Sequence, residues 1–457
     1  MSDTAFAEFV QATAEKFGMP GVSAGVFTGG REIFAAYGVT SVDNPLPVDE
    51  NTLFQLGSIT KPVTATAVMR LVAAGKVELE APVRRYLPEL VLADEAAATE
   101  ITVANLLNHT SGLDWNLIVE TGEGDDALAE FVARLAELAL IGAPGDRSSY
   151  SQAGFNLLGR IIEKVTGQTY EKAVAELVFG PLGLSNSFFT TGEAMIRRFA
   201  VGHELDADGN LSVAPLWKPN RANNPGGGLA ASAADQLRWA RFHLGDGRTA
   251  DGVEVLPAQL LHRMRQPTVR LRGTSLGDAM GIGWFLREVD GVQTIGHGGS
   301  GFGQFAELLI VPEYDFAIVV MSNANPDGIP CNQAILRWAL EHYLGLVDRD
   351  PEPIPFDAER AEEVVGHYEI DAMTFDITTD GKGLVLEVLV KPEIRAASEQ
   401  EIPADHEPFE FGLLPGDGDE YIVTGGAFKG QRGFFSRDES GAVVGVDLAG
   451  RLFKRVS

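Results

Sequence analysis

Near both ends of residues 1 to 347, short runs rich in apolar residues are separated by turn residues, and this pattern predicts strands there. Residues 21 to 37 predict two strands joined at Gly29-Gly30, a common hairpin signal. Further strand patterns follow between 281 and 323, in the segments GIGWFLREV, QTIGHGG, FAELLIVP and FAIVVMSN. Both ends of this region therefore predict one antiparallel sheet, with helices inserted between its first and last strands.

The middle of this region carries apolar residues at helical spacing, which is typical of amphipathic helices. A well-defined stripe lies within 153 to 166 and ends at Gly167. The predicted helices cover residues 58 to 74, 102 to 108, 126 to 140, 153 to 166 and 332 to 344, with one more that begins at a Ser232 cap. This order of elements indicates an α+β domain with an all-α insertion.

The composition changes at residues 348 to 357, DRDPEPIPFD, where three prolines and four acids predict a linker. Beyond it, short alternating runs with glycine turns predict a separate small β domain, either a barrel or a sandwich. We therefore divide the chain into a domain at 1–347, a linker at 348–357 and a β domain at 358–457.

Charge and cysteine content limit the classes of function. The 457 residues include 36 Lys plus Arg and 64 Asp plus Glu, a net charge of −28, which argues against nucleic acid and anionic membranes as partners. The single Cys331 excludes an internal disulfide and a zinc cluster, and no histidine spacing indicates a metal. We see no signal peptide and no apolar run of roughly 20 residues, so we expect a cytoplasmic protein. We also expect no cofactor.

A lysine in the first turn of a predicted helix is the main chemical anomaly. Ser58 stands at the start of the helix and Lys61 follows three residues later, where the helix dipole favours acids. A bare S-x-x-K usually means only an N-cap and a solvated lysine. The alternative nucleophile is Ser23 in GVSAG, which matches the G-x-S-x-G pattern of a nucleophile elbow. Such an elbow lies at a strand-to-helix turn, whereas Ser23 lies inside a predicted strand.

Two distant segments change the interpretation of Ser58. Tyr150 precedes a predicted helix in SSYSQAGFNLLG, and His297 lies in the glycine-rich segment IGHGGSGFG. The ordered set S-I-T-K, Y-S-Q and H-G-G resembles the S-x-x-K, Y-x-N and K-T-G or H-x-G motifs of the serine β-lactamase and penicillin-binding-protein superfamily. Flanking segments such as LFQLGSITK, VANLLNHTSGL and NNPGGGLAASAADQLRWARF resemble its class C β-lactamase-like branch, which includes esterases and D-aminopeptidases.

This resemblance implies a β-lactamase/transpeptidase-like fold over about residues 5 to 345, and a covalent acyl-Ser58 intermediate. Lys61 would lie on the same helix face as Ser58, with its pKa lowered by burial and the helix N-terminus. Tyr150, with its pKa lowered by the lysine, would pass a proton to the leaving group, and His297 would complete the catalytic set. The backbone N–H groups of Ser58 and Ser300 would form the oxyanion hole.

The sequence departs from the family at two motifs. Gln152 replaces the usual Asn, and one added methylene either preserves its hydrogen bonds or shifts them. His297-Gly298 replaces the Lys-Thr that helps to bind a substrate carboxylate, and a neutral imidazole binds a carboxylate less well. We therefore expect esters or amides without that carboxylate as substrates, and not primarily β-lactams or D,D-peptides.

Several assignments stay open at this stage. Gln152, Gly298, Gly299 and Trp217 are candidate substrate-binding residues, the last in a loop that also contains Asn220, whereas His109 looks structural. Peptide cyclases combine this catalytic domain with a lipocalin-like β domain, so cyclisation or acyl transfer is an alternative to hydrolysis, as is a D,D-peptidase or β-lactamase activity. A catalytically silent binding module is the non-enzymatic alternative. The sequence predicts a small-molecule or peptide substrate and leaves the oligomeric state open.

Overall fold

The structure is a computed structural model. It describes residues 3–113, 121–138, 140–205, 209–370, 372–397, 405, 407–426, 428–448 and 450–456. The α-helices among these residues are α1 Thr4–Lys16, α2 Thr60–Ala73, α3 Glu95–Glu100, α4 Val103–Leu107, α5 Ala127–Arg134, α6 Gln152–Thr166, α7 Tyr170–Val174, α8 Gly180–Leu182, α9 Thr191–Ala194, α10 Asn224–Gly227, α11 Ala233–Leu244, α12 Ala258–Met264, α13 Gly328–Leu344, α14 Ala358–Val364 and α15 Pro392–Ala397.

The strands of the described residues divide between the two ends of the chain. The first group is β1 Gly21–Thr28, β2 Arg31–Gly38, β3 Phe54–Gln55, β4 Ser187–Phe188, β5 His203–Leu205, β6 Leu211–Val213, β7 Ala230–Ala231, β8 Val269–Arg270, β9 Ala279–Met280, β10 Phe285–Val289, β11 Val292–Gly301, β12 Gln304–Val311 and β13 Phe316–Ser322. The second group is β14 Gly366–Glu369, β15 Met373–Thr379, β16 Leu384–Val390, β17 Phe409–Leu413, β18 Glu420–Val423, β19 Arg432–Arg437, β20 Val443–Leu448 and β21 Arg451–Arg455.

The main sheet joins the two ends of residues 1–347, as the strand pattern predicts. Its order over the described strands is β2-β1-β13-β12-β11-β10-β9-β8, and its paired strands are antiparallel. Strand β1 pairs with β13 from Val22↔Ser322 to Phe27↔Ala317, although these strands are almost 300 residues apart in sequence. The α+β architecture predicted from the sequence is confirmed.

Helices cover both faces of the sheet, which explains why β13 is buried along its whole length. One face packs against the inserted helices, including α2, α6 and α11, in the larger hydrophobic core. The other face packs against α1 and α13. On this first face, the 3₁₀ turn Gly57–Ile59 that precedes α2 contacts strand β11 in the interior of the sheet.

The predicted helices agree with the structure, with shifts at their ends. Helix α6 begins at Gln152, and Gly167 ends it in the left-handed conformation with φ 71°. Ser232 caps α11 by accepting from the Asp235 N–H. The 126–140 pattern was too long, because α5 ends at Arg134 and a 3₁₀ turn covers 135–137; position 139 lies outside the described residues.

The C-terminal strands β14 to β21 form a closed barrel, which decides between the two predicted architectures. Its interior is filled by buried side chains, among them the aromatic residues Tyr368, Phe375, Phe411, Tyr421, Phe435 and Phe453. Within residues 348 to 357, Asp348 and Ile354 are held by contacts with other parts of the chain. Asp348 pairs with Arg287 and Arg337, and the Ile354 N–H donates to the Leu413 carbonyl at 2.8 Å.

Candidate active site

Ser58 lies in a tight turn and not inside the regular helix. A 3₁₀ turn covers Gly57–Ile59, and α2 continues from Thr60. Gly57 has φ +50°, a conformation that glycine adopts without strain. The Thr60 hydroxyl donates to the Gly57 carbonyl at 2.7 Å and stabilises the turn. The Ser58 side chain accepts no capping hydrogen bond there, so Ser58 is not the N-cap that a bare S-x-x-K usually indicates.

Lys61 is fully buried one turn after Ser58, and its Nζ lies 3.0 Å from Ser58 Oγ. Two groups that only accept hydrogen bonds also contact Nζ, Gln152 Oε1 at 2.8 Å and the Gly226 carbonyl at 2.7 Å. Burial lowers the pKa of Lys61 well below its usual value, and the Arg451 guanidinium lowers it further. A neutral Lys61 would give its two N–H groups to these acceptors and direct its lone pair at Ser58 Oγ.

Gln152 stands where the Y-x-N motif has asparagine, and it makes the hydrogen bond to Lys61 that the family resemblance assigns to that asparagine. Its longer side chain fits because Gly226 has none: a Cβ at position 226 would lie 2.0 Å from Gln152 Nε2. The Gln152 amide nitrogen donates to Asn156 Oδ1 at 3.1 Å and to the Asn223 carbonyl at 3.5 Å. The protein itself therefore uses the donor groups of this side chain.

Tyr150 stands beside this pair, with Lys61 Nζ 4.7 Å from the centroid of its ring. Its hydroxyl is buried, and no group within the described residues forms a well-directed hydrogen bond with it. Burial raises the pKa of Tyr150 above its usual value, although the nearby Ser58 hydroxyl and Arg451 lower it in part. The prediction of a lowered pKa was wrong, because desolvation outweighs the nearby positive charge.

His297 faces Tyr150 from strand β11, with the two ring centroids 6.2 Å apart. Its Nδ1 lies 2.6 Å from the carbonyl oxygen of Gly298, so Nδ1 carries the hydrogen and Nε2 has the lone pair. Burial, with a contribution from Lys61, lowers the pKa of His297 to about 3. The imidazole is therefore neutral at physiological pH, and its Nε2 is a buried acceptor without a partner in the described structure.

The backbone of the Ser58 turn and of strand β11 approach each other closely. A Cβ on Gly299 would lie 2.6 Å from Ser58 N, and a Cβ on Gly57 would lie 2.6 Å from Ser300 N. Neither position therefore tolerates a side chain without a shift of the backbone. The Ser58 turn and the Gly299–Ser300 segment of β11 are therefore in direct backbone contact.

A cleft of about 340 Å³ opens over these residues. Ser58, Tyr150, His297 and Ser300 line it, together with residues of the linker and the barrel. Glu307, which pairs with Gly298 across β11 and β12, also lines the cleft.

Glu307 was not among the residues predicted from the sequence to lie at the site. It could have been found only from strand register, because it pairs with Gly298 of the H-G-G motif. A Cβ on Gly298 would lie 2.9 Å from Glu307 Oε1, so the carboxylate occupies the side-chain space at position 298. Burial raises the pKa of Glu307 to about 7, although Arg287 lowers it in part, and no hydrogen bond or ion pair holds it within the described residues.

Other residues singled out in the sequence lie away from this chemistry. Trp217 is outside the residues that line the cleft, as is Asn220, and the Trp217 indole donates to the Ala200 carbonyl at 2.8 Å. His109 is buried beside Tyr150 and accepts from the Ser151 N–H at 3.0 Å. Ser23 is buried within β1 and donates to the Asp49 carbonyl, so its hydroxyl has a structural partner.

Two features of the described residues bear on partners. No three His, Cys, Asp or Glu side chains among them come together in a way that could hold a metal ion. Within the same ranges, none of the helices has both the length and the apolar character needed to span a bilayer.

Comparison with known proteins identifies this arrangement of motifs. The family model named Beta-lactamase matches residues 6–342. The chain belongs to the beta-lactamase family. Penicillin-binding protein 4 of Amycolatopsis lactamdurans is 37% identical over 308 residues, which are 67% of this chain and 81% of that protein. Esterase EstB of Burkholderia gladioli is 33% identical over 290 residues, 56% of this chain and 71% of that protein.

The solved structure of SurE matches both parts of this beta-lactamase family protein. It covers 99% of each chain with a TM-score of 0.77 and 24% identity, which establishes a shared fold. The resemblance on which the sequence analysis relied is confirmed, and with it the general class of acyl-serine hydrolases.

Proposed function

We propose that this protein is a serine hydrolase that forms an acyl-Ser58 intermediate with esters or amides. The observation that carries the proposal is the 3.0 Å contact between Ser58 Oγ and the fully buried Lys61 Nζ. A neutral amine in this position is a base for the serine hydroxyl, which is a weak nucleophile on its own. A catalytically silent binding module would have no use for this set of residues.

Acylation begins when Ser58 Oγ attacks the carbonyl carbon of the substrate and its proton moves to Lys61 Nζ. The backbone amides of Ser58 and Ser300 stabilise the oxyanion that develops in this step. The attack forms a tetrahedral intermediate. When this tetrahedral intermediate breaks down to acyl-Ser58, the bond to the leaving group breaks, and the leaving group takes a proton through Tyr150. Because Tyr150 and Lys61 are coupled, the proton lost from Ser58 can supply this transfer.

Deacylation reverses these roles with water in place of the leaving group. Water attacks the acyl carbon and gives a proton to the Lys61–Tyr150 pair, and Ser58 Oγ leaves and takes that proton back. The products are the carboxylic acid and the free enzyme, so no redox partner or cofactor is required. An amine that replaced water would give acyl transfer or cyclisation through the same intermediate.

The polar groups beside the H-G-G strand favour substrates that have no carboxylate next to that strand. His297 offers an acceptor at Nε2, which cannot bind a carboxylate by hydrogen bonding. Glu307 adds a carboxyl group where the family's threonine would stand, and like charges repel. The donors of Gln152 are already used by Asn156 and Asn223, which disfavours recognition of an acylamino side chain.

A small substrate panel tests this proposal directly. The purified protein and its Ser58→Ala variant would be assayed with p-nitrophenyl butyrate, D- and L-alanine p-nitroanilide and nitrocefin. We expect turnover of an ester or anilide, little turnover of nitrocefin, and no turnover by the variant. Comparable turnover of nitrocefin and the neutral substrates would contradict the proposed selectivity, and full activity of Ser58→Ala would contradict the mechanism.

A further inference from the structure

The turn between the last two barrel strands reaches the catalytic tyrosine. The Tyr150 N–H donates to the Gly450 carbonyl at 2.7 Å, although the two residues are 300 positions apart. Gly450 has φ +74°, and a Cβ there would lie 2.7 Å from Leu276 Cδ1. The Gly450 N–H donates in turn to Asp447 Oδ1 at 3.1 Å. The barrel therefore holds the backbone of Tyr150 by a specific contact that a larger residue at 450 would disturb.

Arg451, the next residue, brings a permanent positive charge to the same ring. Its guanidinium carbon lies 5.5 Å from the centroid of the Tyr150 ring, and Lys61 Nζ lies 4.7 Å from that centroid. Both Arg451 and Tyr150 line the cleft. Two cations that both lie within 5.5 Å of one ring centroid, in a region of low dielectric, repel each other, and arginine does not give up its proton. The neutral form of Lys61 relieves that repulsion.

We propose that the turn at Gly450 and Arg451 is a positioning element of the active site, through which the barrel fixes Tyr150 and keeps Lys61 in its neutral, basic form. This inference rests on the proposed function and gives the C-terminal domain a direct part in catalysis. Arg451 acts through Lys61 and Tyr150, so it is a positioning residue and does not itself exchange a proton with substrate.

The other titratable groups near this pair do not replace the charge of Arg451. His109 and His297 face Tyr150 from the catalytic domain, and burial lowers the pKa of both, so both are neutral at physiological pH. Asp447 faces Arg451 from the barrel, but burial raises its pKa to about 7, so its negative charge is only partial near neutrality. Arg451 is the charged neighbour that lowers the pKa of Lys61.

The test compares the wild type with Arg451→Gln, which removes the charge. Lys454→Gln is the matched control, because Lys454 is an exposed lysine on the same strand β21. The measured quantity is the rate at which a fluorophosphonate modifies Ser58, followed by intact mass against pH, beside kcat/KM for p-nitrophenyl butyrate. Melting temperatures establish that each variant is folded.

We expect the acid limb of both profiles to move to higher pH in Arg451→Gln, with a loss of about tenfold on that limb for each unit of displacement. Lys454→Gln should keep the limb of the wild type. An unchanged limb in folded Arg451→Gln would overturn the inference. So would a rise in KM confined to substrates with a carboxylate, because Arg451 would then be a substrate-binding group.

The two proposals fail in different ways in this experiment. A wild-type protein whose Ser58 does not react at any pH would contradict the proposed function and the inference together. A reactive wild type whose pH profile is the same in Arg451→Gln would contradict the inference alone.

Discussion

Lys61 Nζ donates to Gln152 Oε1 at 2.8 Å, so glutamine supplies here the hydrogen bond that the family's asparagine supplies. The extra methylene is accommodated over the bare backbone of Gly226, whose carbonyl also accepts from Lys61. Gln152 and Gly226 therefore both accept hydrogen bonds from Lys61, and the long side chain of Gln152 fits only because Gly226 has none. A change in one of these residues should be corrected by a compensating change in the other.

Gly226→Ala should lower kcat/KM for an ester at least tenfold, about 1.4 kcal/mol, because the new Cβ would overlap Gln152 Nε2 and displace Lys61. The double variant Gly226→Ala, Gln152→Asn should recover most of this loss, since the shorter side chain leaves room for the methyl group. The measurement is a double-mutant cycle on kcat/KM.

Gly227→Ala is the control for this cycle, because no atom lies within 4 Å of a Cβ at that position. It should retain activity close to that of the wild type. Additive losses in the double variant would refute the pairing of Gln152 with Gly226.

Removal of the buried amine should abolish fast acylation. Lys61→Met keeps the length of the side chain without a base, and we expect a loss of about 10²- to 10⁴-fold in kcat. Lys61→Arg should not restore activity, because a guanidinium keeps its proton. Stopped-flow release of p-nitrophenol measures the acylation step separately, and a normal burst in Lys61→Met would exclude Lys61 as the base.

The pH profile should show one acid limb and a broad plateau. Activity requires neutral Lys61, so kcat/KM rises with pH through the pKa of Lys61, which lies well below its usual value. His297, with a pKa of about 3, adds no inflection near pH 6.5, and the raised pKa of Tyr150 prevents an early alkaline fall. A loss of activity between about pH 8 and 10 would mean that Tyr150 ionises at its usual pKa or below it.

Glu307 should select against anionic substrates. Glu307 carries its full negative charge only above its pKa of about 7. At a pH above that value, Glu307→Gln removes the charge beside Gly298 and keeps the volume of the side chain, so kcat/KM for nitrocefin should rise about tenfold, or 1.4 kcal/mol, relative to p-nitrophenyl butyrate. The neutral ester provides the internal control, since its rate should change little. An equal change for both substrates would show that Glu307 affects the site as a whole and not its charge selectivity.

The sequence predicted those contacts between the candidate catalytic residues that depend on local geometry or on motif order. Ser58 and Lys61 meet because they are one helical turn apart, and the strand pattern placed His297 in a strand. Its position near Ser58 and Lys61 was implied by the family resemblance. The fit of Gln152 was not predictable, because it depends on the missing side chain of Gly226, a residue far away in sequence.

The contribution of the barrel could not be read from the sequence either. Gly450 and Arg451 carry no motif, and their contact with Tyr150 depends on how two separately formed cores dock. The direction of the Tyr150 pKa was wrong for a related reason. The sequence shows that a lysine is near, but not how completely the hydroxyl is removed from water.

The most direct test of the account is the covalent intermediate on Ser58. Wild-type protein and Ser58→Ala would be mixed with p-nitrophenyl butyrate, quenched in acid within the first turnover, and digested for mass spectrometry of the peptide that contains residue 58. The account predicts one butyryl group on Ser58 of the wild type, and neither adduct nor turnover in the variant. Turnover that persists in Ser58→Ala, or a butyryl group on another residue of the active wild type, would contradict it.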